Sequence, residues 1–134
     1  MSQNVAIKVF KSTGAASGNA ASTPKIEGLR TPDTFKDVNA VAAGSIVTVW
    51  TPTSGKRVVF MGLTISVSAA CSVLFEDNSA GAGNFVFRTP KLLADTPYTF
   101  DLGNGVALSA VNNVLKATSS AAANVTGTLY GIEL

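Results

Sequence analysis

Leu63-Thr64-Ile65-Ser66-Val67-Ser68 alternates a large apolar residue with a hydroxyl residue over six consecutive positions. Successive side chains of a strand point to opposite faces, so a period of two puts Leu63, Ile65 and Val67 on a buried face and the hydroxyls on the other. The stretch reads as the end of a strand running from Lys56 to Ser68. Upstream, Pro52-Thr53-Ser54-Gly55 has the residues of a tight turn, with glycine able to take positive φ, and Ser45 to Thr51 forms the strand before it. Downstream, Ser72 to Glu76 is a strand, Asp77 to Gly83 a loop, and Phe85-Val86-Phe87 a strand with both phenylalanines on one face. Tyr98, Phe100 and Leu102 alternate with Thr99 and Asp101, and Gly103-Asn104-Gly105 then reads as a turn. Val114 to Ser119 and Val125 to Leu134 complete seven strands.

Short β-branched and aromatic runs separated by turn residues are the pattern of an all-β sandwich or barrel. Pro90 to Asp95 and Ser119 to Asn124 could each form about one helical turn, too little to compete. Without long crossovers the strands are expected to pair antiparallel. The apparent domain is residues 45–134. Residues 1–44 read as an extended N-terminal arm: a short strand, Val5 to Phe10, then the aperiodic Ala/Ser/Gly-rich linker Lys11 to Pro24, then a segment punctuated by Gly28, Pro32 and Asp33.

Only 13 % of the residues are charged and 46 % are hydrophobic, against about 25 % charged in ordinary soluble domains. Low charge fits a chain with sizeable interfaces, because interface cores are depleted in charge. No apolar run approaches the ~20 residues of a membrane-spanning helix, and the N-terminus lacks the pattern of a secretory signal. Neither a membrane nor a nucleic acid is expected as a partner, since the net charge of +2 is not concentrated in a basic, aromatic-laced patch. The basic residues favour the first half, where seven lysines and arginines against three acids give +4, while three against five give −2 from residue 68 onward.

Catalysis finds few tools in this composition. There is no histidine, which removes the commonest general base and zinc ligand. The single cysteine, Cys71, excludes an internal disulfide and reads as a small buried hydrophobe. Glu76 and Asp77, which are adjacent, or Asp95 and Asp101, which lie near turns, could serve a two-carboxylate mechanism, but strand neighbours face opposite ways and Glu76 and Asp77 sit where turn chemistry is expected. The Asp77-Asn78-Ser79-Ala80-Gly81 run lacks the alternating acids and terminal glutamate of a calcium loop. The expectation is a protein that is not an enzyme, with no cofactor and no metal.

Thr48-Val49-Trp50-Thr51-Pro52-Thr53-Ser54-Gly55-Lys56-Arg57, the run Met61 to Val67, Val73-Leu74-Phe75-Glu76-Asp77-Asn78, Thr96 to Gly105 and the closing Gly127-Thr128-Leu129-Tyr130-Gly131 resemble small virion proteins of tailed bacteriophages, of the capsid decoration or cement type. The resemblance covers about two-thirds of the chain, leaves out the first 45 residues and brings no catalytic residues. It implies a jelly-roll-like antiparallel β-sandwich, usually a homotrimer, assembled in the host cytoplasm and located in the virion. The implied partners are the major capsid protein or other virion proteins.

On that reading the arm strand, with Val5, Ile7, Val9 and Phe10, is a candidate for adding itself to a neighbour's sheet. Trp50 is either a core anchor or an interface hot spot. A tail or fibre component that binds a host-surface glycan is the alternative, with Tyr98, Tyr130 and Trp50 as the available aromatics beside acids near turns. A small carboxylate-dependent hydrolase is a third.

Overall fold

The computed structural model describes residues 30–41, 46–78 and 84–134. They form eight strands: β1 (Thr34–Val41), β2 (Val47–Trp50), β3 (Val58–Val67), β4 (Val73–Asn78), β5 (Asn84–Arg88), β6 (Tyr98–Ala107), β7 (Val114–Ser119) and β8 (Asn124–Glu133). Two antiparallel four-stranded sheets result, one in the order β1-β8-β3-β6 and the other β2-β7-β4-β5. The chain is thus all-β and sandwich-like. The first strand pairs with the last, the second with the seventh, the third with the sixth and the fourth with the fifth.

The core lies between the sheets. Leu63, Ile65 and Val67 are buried there as their alternation predicts, with Val73, Phe75, Leu115, Val125 and Leu129. Phe60 of one sheet meets Phe75 of the other with ring centroids 5.3 Å apart, and Phe87 meets Phe100 at 5.5 Å. Cys71 is buried as expected, and burial pushes its thiol above the ordinary value. The windows weighed as helical turns form loops instead. In the first, Leu92 exchanges backbone hydrogen bonds with Cys71 and is fully buried.

Three strands depart from a plain period of two through one-residue β-bulges, each an extra residue that re-aims its neighbours. In β3 the register steps from Phe60 opposite Gly131 to Gly62 opposite Tyr130, leaving Met61 as the extra residue. Val58 and Phe60 before it and Leu63 after it therefore all point inward. In β2, Val49 is extra between Thr48 opposite Lys116 and Trp50 opposite Leu115. In β5, Val86 is extra, so Phe87 faces inward opposite Phe75 while Phe85 faces outward beside Glu76 and is 68 % exposed. That corrects the expectation that Phe85 and Phe87 share a face.

Two further expectations need correction. Gly103-Asn104-Gly105 does not reverse the chain: β6 continues to Ala107, and these residues bulge out of the strand between Asp101 opposite Gly62 and Val106 opposite Phe60. The positive φ of Gly103 (64°) and Gly105 (90°) serves this bulge rather than a hairpin. Residues 34–41, assigned to the extended arm, form β1 in the sheet, in register with β8 from Thr34 opposite Gly131 to Val41 opposite Asn124. This strand was hidden because Val38 is its one large inward apolar residue, while Phe35 faces outward at 62 % exposure. Main-chain pairing holds an edge strand that hydrophobic periodicity does not announce.

The residues before β1 cross the sheet. Asp33 N–H donates to the Gly131 carbonyl, and Arg30 N–H donates to Asn104 Oδ1 at 3.0 Å, on the far side of β8 and β3. Val59 and Met61, on the sheet's outer side, are 0 % and 3 % exposed beneath this crossing and the β6 bulge. A side-chain carbon on Gly105 would lie 2.8 Å from each of their side chains.

Candidate functional site

Val5, Ile7, Val9 and Phe10 lie outside the described residues. Trp50 is 1 % exposed in the isolated chain, so the core role holds and its ring has no face free for a partner. The Val49 bulge brings this about by turning Trp50 inward with Val47 instead of out with Thr48. Its indole Nε1–H donates to Glu133 Oε2 at 2.9 Å, and the other oxygen, Oε1, accepts from Thr53 N–H at 3.0 Å. Lys36 Nζ lies 6.0 Å from the centre of the Trp50 ring, within reach of a cation–π attraction. Burial alone would raise the Glu133 carboxyl. The hydrogen bonds from Trp50 and Thr53, with the Lys36 charge, outweigh it and hold the group below the usual carboxylate value. The cluster ties β2, the turn after it and the end of β8 together.

The adjacent carboxylates weighed for acid–base chemistry do not converge. Both belong to β4, which runs through Asn78, so neither is a turn former. Glu76 faces outward opposite Lys116. Asp77 faces inward at 4 % exposure, its Oδ2 accepting from Ser109 N–H at 2.6 Å and its Oδ1 from Asn113 Nδ2 at 2.9 Å. Asn113 also donates to Ser109 Oγ. A buried carboxylate satisfied in this way anchors the turn between β6 and β7, which the sequence had not assigned to it. Among the described residues no three of His, Cys, Asp and Glu are grouped to hold a metal ion, and no helix is long and apolar enough to cross a membrane.

What the fold does assemble is a surface on the outer side of the β1-β8-β3-β6 sheet. The register places Phe35, Tyr130, Gly62 and Asp101 in one row straight across the four strands. The next row holds Asp37, Thr128, Thr64 and Thr99, and the third holds Asn39, Thr126 and Ser66. Gly62 is the low point of the first row. Any side chain there would collide with the Tyr130 ring and the Phe100 carbonyl, so the tyrosine lies over the strand. Phe35 sits beside it, ring centroids 6.4 Å apart. Burial and then the neighbouring charge of Asp101 raise the Tyr130 hydroxyl above its ordinary value. Thr64 and Thr99 share a hydrogen bond at 2.9 Å, and Ser66 and Thr126 one at 3.3 Å.

Of the aromatics weighed for a glycan, Trp50 is buried and Tyr98 is turned inward opposite Ile65; Tyr130 alone reaches this face. Phe35 and Asp37 were missed, and Asp101 was noted only as an acid near a turn. The polar halves of β3 and β8 were legible as alternation, but no local signal ties Phe35 to Tyr130, which are joined only by the pairing of β1 with β8. Comparison of the chain with protein-family models, curated proteins and solved structures finds no match.

Proposed function

We propose that this chain is a structural binding protein of a tailed-phage virion, a capsid decoration protein, and not an enzyme. The observation that carries the reading is the strand order. Eight strands paired first with last, second with seventh, third with sixth and fourth with fifth, in two four-stranded sheets, support reading the sandwich as a jelly roll, an architecture common in viral capsid and lectin domains. Fold alone assigns no function, and the low charge and the sequence resemblance add to it.

On this reading β1, β6, β2 and β5, the outermost strands of the two sheets, offer main-chain hydrogen bonds to an added strand. The candidate for that added strand, Val5 to Phe10, lies outside the described residues. The working form is a homotrimer bound to the major capsid protein, in the virion.

The test is light scattering coupled to size exclusion, followed by co-sedimentation with phage heads. A trimer that pellets with heads, and loses head binding when residues 1–29 are deleted, supports the proposal. A monomer that stays in the supernatant at micromolar concentration overturns it. The second reading, a tail or fibre component that binds a glycan, is favoured by the row from Phe35 to Asp101.

A further inference from the structure

We propose that the outer face of the β1-β8-β3-β6 sheet binds a neutral saccharide, with Phe35 and Tyr130 as its stacking platform and Asp101, Asp37 and Thr128 as its hydrogen-bonding rim. This names a site and a ligand class for the glycan-binding reading, and it holds equally for a protein on the head or the tail.

A pyranose ring presents aliphatic C–H groups on its faces and hydroxyls around its edge. It needs an aromatic face for the one and acceptors for the other. Aromatic rings carry a negative face that attracts C–H edges. Here Phe35 is 62 % exposed, and Tyr130 is held over Gly62, where only the absence of a side chain makes room. Asp101 lies in the same row and Asp37 in the next. Ionised carboxylates only accept hydrogen bonds, so they suit a rim of hydroxyls, each of which has a proton to donate. Thr128, Thr64 and Thr99, all exposed, add hydroxyls that can donate or accept. The row from Phe35 to Asp101 crosses three strand spacings, ~14 Å, enough for a short oligosaccharide. The crossing from Arg30 to Asn104 bounds it on one side.

Charge decides the class of ligand. Among the outward positions of these four strands there is no lysine or arginine, since Lys36 turns inward opposite Leu129, whereas Asp37 and Asp101 are both exposed. Arg30, at the border, is engaged with Asn104, so the two aspartates set the sign of the face and disfavour a phosphorylated or sulfated glycan or a nucleic acid. A protein partner would find two aromatics in a field of hydroxyls, a poor interface core.

The experiment is a glycan array of neutral and anionic oligosaccharides probed with the full chain, followed by calorimetric titration of the strongest neutral binder. Parallel titrations use Phe35→Ala, Asp101→Asn and, as a control, Phe85→Ala on the opposite sheet. Phe35 and Phe85 are both exposed, so neither change endangers the fold. The expected result is binding to neutral glycans only, weakened about tenfold or more by Phe35→Ala and by Asp101→Asn and unchanged by Phe85→Ala. No neutral binder on the array overturns both this site and the glycan-binding reading. Binding that Phe35→Ala and Asp101→Asn leave intact, or that selects anionic glycans, overturns the site alone. The head co-sedimentation assay reports separately on the decoration reading.

Discussion

Trp50 and Glu133, the last residues of β2 and β8, are joined by a 2.9 Å hydrogen bond from the indole nitrogen to the carboxylate. The bond links the two sheets at the ends of β2 and β8, and it makes part of the fold's stability sensitive to acid.

Because the folded state holds the Glu133 carboxyl below its ordinary value of about 4.5, the unfolded chain takes up this proton first as pH falls. The stability Glu133 contributes is therefore present above that value and is lost as pH drops through the lowered native one. Thermal melts of the wild type between pH 7 and pH 3 should show a decline that Glu133→Gln flattens. Trp50→Phe, which removes the donor and keeps most of the ring, should cost about 1–3 kcal/mol at neutral pH by urea unfolding.

Asp77 and Glu76 are sequence neighbours with opposite fates, and substitution should separate them. Asp77→Ala strips two hydrogen-bond partners from the turn between β6 and β7 and should destabilise the fold by about 1–3 kcal/mol. Glu76→Gln, on the outer face, should stay within about 0.5 kcal/mol. Equal losses in chemical denaturation would refute the inward anchoring role of Asp77.

Gly62→Ala places a methyl group against the Tyr130 ring and the Phe100 carbonyl. Overpacking of this kind costs about 1–3 kcal/mol. Tyr130→Ala alongside it should recover part of the loss, a coupling that a double-mutant cycle reads directly.

The Thr118 hydroxyl is buried without a hydrogen-bond partner among the described residues. Thr118→Val keeps the branched shape, removes the unsatisfied group and suits a strand. A raised Tm is expected in calorimetry, and a lowered one would mean that the hydroxyl is bonded after all.

The all-β class, and seven strands of it, could be read from the chain because Leu63-Thr64-Ile65-Ser66-Val67 and its counterparts follow the local rule that strand side chains alternate. β7 falls on the expected residues, Val114 to Ser119, for the same reason. β1 escaped that rule. As an edge strand with one large inward residue, Val38, it owes its place to main-chain bonds with residues some ninety positions away.

The candidate surface was only half visible. Thr64, Ser66 and Thr128 declare a polar face wherever they pair, yet Phe35, Tyr130, Gly62 and Asp101 belong to four strands that no spacing along the chain connects. Trp50 illustrates the same limit from inside. One extra residue, Val49, decides whether its ring faces the core or a partner, and a bulge depends on the strand opposite rather than on the residues that contain it. Local alternation thus settled which segments are strands and which of their faces is apolar. Long-range pairing, through register and bulges, decided which residues meet, because it is the partner strand that fixes where each side chain is aimed.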